Sequence, residues 1–441
     1  MAGELTSLGL SRGLGIVGGT IATPVLALQI VGSRGEINAI EGGAITTSNQ
    51  RQMGRSRHYI GTQDVSELYV GFNGFFVDSA TVGNGYTCAE VNATNDYILR
   101  LALEINGATK RITFNGGALE TVVSSGSPLT LPDPILPAEF GLSAFPKQQE
   151  IWIRAEREFS VGQKAMFHQT ASNNPVIAGE SYFVGPTTAT SRLMDTGALS
   201  VTGGWSQQAH VWLPYCIIGR PVQKMISFVT FGASIENGVG DGQGDGLNGA
   251  GGYMRRMLAN VNGNKAARIH LAKSGETIKS WVNKSAKRRA MLPYISHVVS
   301  GHGGNDYSTG ESVANTQTRW AQGWALMKAG GAFLEHYALS PKSDSTDAWA
   351  TLANQTPRLG YEVGGAWRDA GNAWCLSNVG TMLDAFVNLG DAQTDPTARA
   401  KWRIDLGQPT VDGTHPSSIV ASIMAAAAIS HLDLLRSTYE A

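Results

Sequence analysis

The pattern of apolar residues changes once along the chain, near residue 222, and this change constrains the fold more than any other feature. Between about Ser66 and Val222, short segments alternate apolar and polar residues with a period of two. Asn-Gly pairs such as Asn106-Gly107 favour tight hairpins between them. This pattern is typical of an all-β sandwich, which we predict to be jelly-roll-like. Its strands include Leu68–Phe72, Tyr97–Leu103, Glu150–Ala155, Ser181–Val184 and His210–Pro214.

From Met225 onward, apolar runs alternate with glycine-rich loops and helical patterns. Helices are predicted at 311–328 and 417–435, the latter with Ser417 as its N-cap. Uninterrupted apolar runs indicate strands that are buried on both faces, as in a mostly parallel sheet. The second half therefore predicts a three-layer α/β/α domain, with strands at Met225–Val229, Ala267–Leu271, Ile295–Val299 and Ala332–Leu339.

The length of 441 residues fits two domains better than one core. We predict an N-terminal segment and linker at 1–60, a β-sandwich at 61–221 that could bind carbohydrate, and an α/β domain at 222–441. Residues 13–31 form the most apolar stretch, but Glu4 precedes it and Pro24 interrupts it, which is atypical of a signal peptide or a membrane span. We expect this segment to pack against neighbouring subunits of a homo-oligomer or against a larger particle.

Charge and cysteine content narrow the function classes. A net charge of −1 with 16% charged residues argues against nucleic acid as a partner. The basic cluster at 284–289 is read as the solvated face of a helix. The three cysteines, Cys88, Cys216 and Cys375, are too few and too far apart for a disulfide framework or a zinc site. Cys88 and Cys216 could pair, but free thiols are the favoured reading.

Residues that can carry chemistry follow the predicted strands of the second half. Ser234 comes just after the first strand, and Asp412 lies three residues before His415 near the end of the chain. A serine attacks an acyl carbon when a histidine takes its proton, and an aspartate can fix the tautomer of that histidine. Gly275 and Asn305 follow the second and third strands. Because loops after parallel strands meet at one sheet edge, all these groups are expected to converge there.

The order Gly-x-Ser, Gly, Gly-x-Asn-Asp and Asp-x-x-His resembles the SGNH hydrolase family, also called GDSL esterases and lipases, over about residues 222–436. The resemblance implies that Ser234 is the nucleophile, His415 the base and Asp412 the third triad member. It also implies an oxyanion hole made by Ser234, Gly275 and Asn305. One position departs from the family, whose first block usually reads Gly-Asp-Ser, because Ala233 replaces the aspartate.

Other residues near these motifs are weaker predictions. His302 is expected to line the pocket mouth, and the segment 340–374, with Trp367 and Trp374, to form a wall that selects the leaving alcohol. The glycine-rich segment 237–252 is expected to be a floppy rim beside the nucleophile. His297 and His302 alone do not make a metal site, so neither a metal nor another cofactor is expected.

The resemblance and the β-rich first half together favour a serine esterase that removes O-acetyl groups from a poly- or oligosaccharide. The alternative is a non-enzymatic, adhesin-like carbohydrate-binding protein on a particle surface, such as a phage virion component, with a vestigial hydrolase fold. In both cases the saccharide favours a location outside the cell or on a particle surface. The sequence shows no convincing cleavable signal peptide.

Overall fold

The structure is a computed structural model and describes residues 26–79, 81, 82, 85, 86, 88–168, 176–200, 204–208, 212–246, 248–261 and 263–441. Most of the apolar segment 13–31 lies outside these residues, so its predicted role in assembly stays a prediction. The predicted strand at His210–Pro214 also lies partly outside them. Residues 29 and 30 are already part of the fold, because they pair with a strand of the first half.

In the first half, the described residues form strands and a short 3-10 turn at Pro137–Phe140. In chain order the strands are β1 (Gln29–Ile30), β2 (Gly35–Glu36), β3 (Ile40–Ala44), β4 (Gln50–Tyr59), β5 (Val65–Gly71), β6 (Phe75–Asp78), β7 (Thr81–Val82), β8 (Gly85–Tyr86), β9 (Ala89–Asn92), β10 (Tyr97–Ile105), β11 (Ala108–Ile112), β12 (Thr121–Val123), β13 (Glu150–Phe159), β14 (Lys164–Phe167), β15 (Ser181–Pro186), β16 (Ser206–Gln207) and β17 (Cys216–Pro221).

Apart from β2, these strands pair in antiparallel sheets, which confirms the all-β prediction for the described part of this half. The larger sheet has seven strands in the order β11-β10-β13-β4-β15-β16, with β12 also paired to β10, and a smaller sheet has the order β1-β17-β5. A jelly roll instead divides about eight strands between two sheets built from Greek keys. The jelly-roll arrangement of this half therefore stays a prediction.

The second half alternates strands and helices, as its sequence pattern predicts. The strands are β18 (Ser227–Phe231), β19 (Ala267–His270), β20 (His297–Ser300), β21 (Phe333–Tyr337), β22 (Ser343–Ser345), β23 (Gln355–Pro357), β24 (Ala385–Val387), β25 (Thr394–Asp395) and β26 (Ala398–Trp402). The helices are α1 (Tyr253–Ala259), α2 (Ile278–Lys284), α3 (Ala286–Arg289), α4 (Gly304–Ser308), α5 (Val313–Met327), α6 (Arg368–Ser377), α7 (Gly390–Gln393) and α8 (Ser418–Glu440), with 3-10 turns at Leu292–Tyr294 and Lys328–Gly330.

A six-stranded sheet organises this half, in the order β2-β19-β18-β20-β21-β24, and every pairing in it is parallel. Alternate residues of β18 face opposite layers, since Phe228 packs in the cluster of α1 and α8 while Val229 packs in the cluster of α2 and α5. The three-layer arrangement is therefore as predicted. β18 has β19 on one side and β20 on the other, which makes its carboxyl end the point where ligands bind in such sheets.

The two halves share a core across the predicted domain boundaries. β4 lies in the middle of the seven-stranded sheet, and β2 forms an edge of the parallel sheet. The predicted linker at 1–60 therefore contains strands of both sheets. One hydrophobic cluster contains Ile30 and Leu101 from the first half and Val229 and Trp320 from the second. The architecture changes near residue 221, and the division into two domains there stays a prediction.

Two further features bear on location and redox state. Cys88, Cys216 and Cys375 are buried and free, as favoured from the sequence. Within the described residues, α8 is long and apolar enough to cross a membrane by length and composition alone. That is weak evidence, because the core helix of a soluble protein passes the same test, and residues such as Val420, Met424 and Leu432 are buried against the sheet.

Candidate active site

Ser234 lies on the sharp turn that follows β18. Gly232 leaves no room for a side chain, because a Cβ there would lie 2.3 Å from Cγ of Glu236. The buried Glu236 carboxylate accepts a hydrogen bond from the amide of Ala233 at 2.8 Å and contacts the hydroxyl of Tyr253 at 3.3 Å. Glu236 thus supports the turn that carries Ser234, where the family pattern has an aspartate at position 233. The sequence analysis did not single out this residue.

His415 and Asp412 meet Ser234 from the turn before α8. Nε2 of His415 lies 2.8 Å from Oγ of Ser234, and Nδ1 of His415 lies 2.5 Å from Oδ2 of Asp412. Oδ1 of Asp412 accepts the backbone amides of Thr414 and His415, each at 2.9 Å. Burial raises the pKa of Asp412, but these hydrogen bonds outweigh it and leave the pKa below its ordinary value. The carboxylate is therefore charged at neutral pH and holds the imidazole toward the serine.

The glycine-rich segment packs directly against the histidine. A Cβ on Gly240 would lie 2.4 Å from the carbonyl oxygen of Pro416 and 2.9 Å from Cβ of His415. Asp241 is buried, pairs with Arg256 at 2.6 Å and accepts the amide of Gly252. Among the described residues of this segment, these contacts describe a fixed support for His415 and correct the expectation of a floppy rim.

Gly275 and Asn305 are placed beside the serine by the loops after β19 and β20. Both line the same cleft as Ser234 and His415. Gly275 adopts a φ of +85°, a left-handed conformation that favours glycine. Nδ2 of Asn305 donates to the carbonyl of Glu276 at 3.1 Å, which leaves its second amide hydrogen for a ligand.

A buried ionic network lies directly behind these two loops. The carboxylate of Glu276 accepts from Arg288 at 2.6 and 2.9 Å and lies 3.3 Å from Nε2 of His302. Arg288 also pairs with Glu90 of the first half at 3.1 Å. Arg288 and His302 are both 0% exposed, which corrects two predictions. His302 does not line the pocket mouth, and the basic cluster at 284–289 is not simply a solvated face.

Asp306 ties two of the site loops together. Its carboxylate accepts the amides of Ile278 at 2.9 Å and Lys279 at 3.2 Å, at the start of α2. Burial raises the pKa of Asp306 to about 6, against the lowering effect of these hydrogen bonds. The Gly-x-Asn-Asp block therefore contributes an amide that faces the cleft and a carboxylate that anchors the neighbouring loop.

Two cavities of very different size meet at Ser234. The smaller has a volume of about 30 Å³. The larger is an open cleft of about 490 Å³. His415 lines the cleft only, whereas Ser234, Asn305 and Lys342 line both. The small cavity is lined by Ala233, Ser234, Ile235, Glu236, Gly301, Gly304, Asn305, Ala338, Leu339, Ser340, Lys342, Tyr361 and Thr414, and the cleft by Ser79, Ser234, Val239, Ser274, Gly275, Asn305, Ser308, Lys342, Arg358, Thr414 and His415.

The predicted wall from 340 to 374 contributes to the cavities through residues other than the tryptophans. Trp367 stacks on Tyr307, and Trp374 stacks on Trp320 and Trp324, so both pack against the core and line neither cavity. Lys342, Arg358 and Tyr361 line the cavities instead. The signal that could have identified Lys342 is its place after β21, because that strand ends at the same sheet edge as β18 and β20. Ser79 could not have been found, since it reaches the cleft from the first half.

The described residues contain no group of three or more histidine, cysteine, aspartate or glutamate side chains placed to hold a metal ion. His297 is the first residue of β20 and packs against Phe228 and Phe333, at the end of the strand away from the cleft.

Four motif blocks thus meet at one sheet edge around a serine, histidine and aspartate in hydrogen-bond contact. The chain resembles SGNH hydrolases. No model of a protein family matches it, and no curated protein sequence matches it. GDSL-type lipases and other ester hydrolases recur among the similar solved structures. Because the TM-scores of these structures are low, the resemblance rests on the residues of the site.

Three of these structures show the range of coverage. A family two carbohydrate esterase from Clostridium thermocellum is 11% identical and covers 91% of this chain and 95% of its own, with a TM-score of 0.34. A GDSL-like lipase from Bacteroides thetaiotaomicron is 18% identical, covering 47% of this chain and 88% of its own, with a TM-score of 0.31. An extracellular lipase from Streptomyces rimosus is 17% identical, with corresponding coverages of 47% and 99% and a TM-score of 0.33.

Proposed function

We propose that the protein is a serine esterase that removes acetyl groups from the hydroxyls of a poly- or oligosaccharide. The observation that carries the proposal is the unbroken hydrogen-bonded chain from Ser234 through His415 to Asp412 at the floor of an open cleft. Ser234 attacks the ester carbonyl while Nε2 of His415 takes its proton. His415 then returns the proton to the leaving alcohol, and a water molecule activated by His415 releases the acyl group.

The negative charge that develops on the carbonyl oxygen needs donors in place before the reaction. The backbone amides of Ser234 and Gly275 and the second amide hydrogen of Asn305 are the proposed donors. Asn305 is oriented by its bond to the carbonyl of Glu276, whose side chain is held by Arg288. Because this support is buried and ionic, the donors do not need to reorganise during the reaction.

The two cavities favour a small acyl group and a large alcohol. His415 must lie beside the oxygen to which it returns a proton, so the alcohol occupies the cleft that His415 lines. The acyl group then enters the small cavity of about 30 Å³. That space holds about two water molecules at roughly 10–15 Å³ each, which suits an acetyl group and excludes a long acyl chain.

The lining of the cleft favours a sugar as the alcohol. Six of its eleven lining residues carry a hydroxyl or amide side chain, and Val239 is its one aliphatic member among the described residues. Polar groups of this kind bind a polyhydroxylated alcohol through hydrogen bonds. A fatty alcohol would leave them unpaired, at a cost of about 1–3 kcal/mol each.

The test is hydrolysis of p-nitrophenyl esters of increasing acyl length by the wild type and Ser234→Ala. We expect the wild type to cleave the acetate and to lose at least about tenfold in kcat/KM on the octanoate. Ser234→Ala should lower kcat/KM on the acetate by at least about a thousandfold. Ser377→Ala, an exposed serine on α6, is the control that should retain wild-type turnover.

Each other outcome would count against a specific part of the proposal. Activity that survives Ser234→Ala would refute the nucleophile, and equal turnover of acetate and octanoate would refute the small acyl cavity. A wild type without hydrolase activity that still binds saccharides would favour the alternative, an adhesin-like protein with a vestigial site.

A further inference from the structure

Two cations at the base of one hairpin face the alcohol side of the cleft. β22 and β23 pair so that the amide of Arg358 donates to the carbonyl of Lys342 at 2.9 Å, just beyond the last strand pair. Lys342 and Arg358 both line the cleft with Ser234 and His415. None of the described residues that line this cleft is an aspartate or glutamate.

Lys342 is a buried cation without an acidic partner in the described part of the chain. Lys342 is 6% exposed. Its ammonium donates to the carbonyl of Gly304 at 3.2 Å and to the hydroxyl of Ser308 at 3.0 Å. It also lies 5.2 Å from the ring centroid of Tyr361. An ammonium has three donors, so one remains for a ligand. Burial, together with the positive charge of Arg358, lowers the pKa of Lys342 to about 8.

Arg358 is fixed in place by the catalytic turn itself. Its guanidinium donates to the hydroxyl of Thr414 at 2.8 Å and to the carbonyl of Asp412 at 3.0 Å. Its carboxylate partner among the described residues, Asp344, is 2.9 Å away and has a side chain that is 71% exposed. An exposed pair of this kind contributes little and leaves much of the positive charge uncompensated.

Other carboxylates near Lys342 already accept hydrogen bonds from other groups. The carboxylate of Glu236 accepts from Ala233 and Tyr253, and that of Asp412 is bound to His415. A buried ammonium beside a second, partly exposed cation is unfavourable unless an anion joins them. Lys342 lines both cavities, but Arg358 lines the cleft alone. An anion that joins the two cations therefore belongs to the leaving alcohol and not to the acyl group.

We propose that Lys342 and Arg358 form a carboxylate-binding subsite, so that the preferred substrate is an acetylated acidic saccharide with a carboxylate close to the ester. This inference rests on the proposed esterase function and specifies its substrate class. The carboxylate accepts hydrogen bonds from the ammonium and the guanidinium while the acetyl ester lies over Ser234. Charge-assisted bonds of this kind are stronger than those to a neutral sugar.

The subsite is tested with two aryl acetates that differ only in charge on the leaving alcohol, meta-acetoxybenzoate and its neutral methyl ester. At neutral pH and low salt, we expect the wild type to prefer the anionic ester by about tenfold or more in kcat/KM, mainly through KM. Lys342→Met and Arg358→Gln should each reduce the preference to about twofold or less, and Lys342→Arg should restore most of it. The matched control is Lys224→Met, an exposed lysine before β18, which should keep the wild-type preference.

Failure of this inference and failure of the esterase proposal give different results. If Ser234-dependent hydrolysis of p-nitrophenyl acetate is present but the wild type cleaves both aryl acetates equally, the carboxylate subsite is refuted and the esterase stands. A preference that survives both Lys342→Met and Arg358→Gln also refutes the subsite. If the wild type hydrolyses neither ester, calorimetry with meta-hydroxybenzoate and its methyl ester decides the matter. Tighter binding of the anion that is lost in Lys342→Met supports the subsite, and equal binding overturns it.

Discussion

The substitution Asp412→Asn separates the charge of the triad acid from its shape. Oδ1 of Asp412 accepts two backbone amides, while Oδ2 accepts Nδ1 of His415. An asparagine that keeps its oxygen on the two amides places its NH₂ group against Nδ1. Nδ1 must then be unprotonated and Nε2 protonated, so His415 cannot accept the proton of Ser234.

The size of the effect follows from the cost of rotating the asparagine side chain. To restore the working tautomer, the asparagine must turn its oxygen toward Nδ1 and leave two backbone amides without an acceptor. Each loss costs about 1–3 kcal/mol, or about 2–6 kcal/mol together. At about 1.4 kcal/mol per factor of ten, kcat/KM should fall between about thirtyfold and about twenty-thousandfold.

Steady-state hydrolysis of p-nitrophenyl acetate measures this loss, with thermal unfolding as a check on folding. Asp405→Asn is the matched control, because Asp405 is an exposed aspartate that pairs with Arg403 away from the cleft. A fall of less than about threefold in a folded Asp412→Asn protein would refute the reasoning. The serine would then be activated by something other than a histidine oriented by Asp412.

Three further predictions follow from the packing of the site and the core. Gly240→Ala should lower kcat by about tenfold or more, because the added Cβ would displace His415. Gly242→Ala is the control and should keep wild-type kcat, because no atom lies within 4 Å of its added Cβ. Equal activities of the two variants would contradict the predicted clash. Glu276→Gln should lower the free energy of unfolding by about 3–5 kcal/mol in urea titrations, since it breaks a buried ion pair, and a loss below about 1 kcal/mol would contradict this. Burial lowers the pKa of His58 and His336 to about 3, so the folded protein cannot take up the protons that the unfolded chain binds below pH about 6.5. Stability should therefore fall as the pH falls from about 6.5, by about 2 kcal/mol per histidine at pH 5, and a urea midpoint that does not decrease between pH 7 and pH 5 would contradict the assignment.

The sequence predicts the site well where local pattern and chain topology are sufficient. Ser234, Gly275 and Asn305 each follow an apolar run, and the parallel sheet brings the ends of those runs together. The spacing of Asp412 and His415 allows their contact within one turn. These predictions need no knowledge of which distant residues touch.

Predictions that depend on long-range packing were the ones that failed or were missing. Nothing in the sequence distinguishes a tryptophan that stacks in the core, such as Trp374, from one that lines a pocket. A two-residue strand such as β2 has no periodicity to detect. In the sequence, Glu276 and Arg288 resemble surface charges, but the fold buries them as an ion pair. The position of Lys342 depends on how the hairpin of β22 and β23 packs beside the turn that carries His415.

The most direct measurement of the central claim is covalent labelling with an alkyl fluorophosphonate, followed by mass spectrometry of the peptides. The reagent phosphonylates a serine that a neighbouring histidine activates, and it mimics the tetrahedral intermediate. We predict one label per chain, on Ser234, with loss of p-nitrophenyl acetate hydrolysis in proportion to labelling and no label in Ser234→Ala. An active wild-type protein that remains unlabelled, or that carries the label on another residue, would contradict the assignment of Ser234 as the nucleophile.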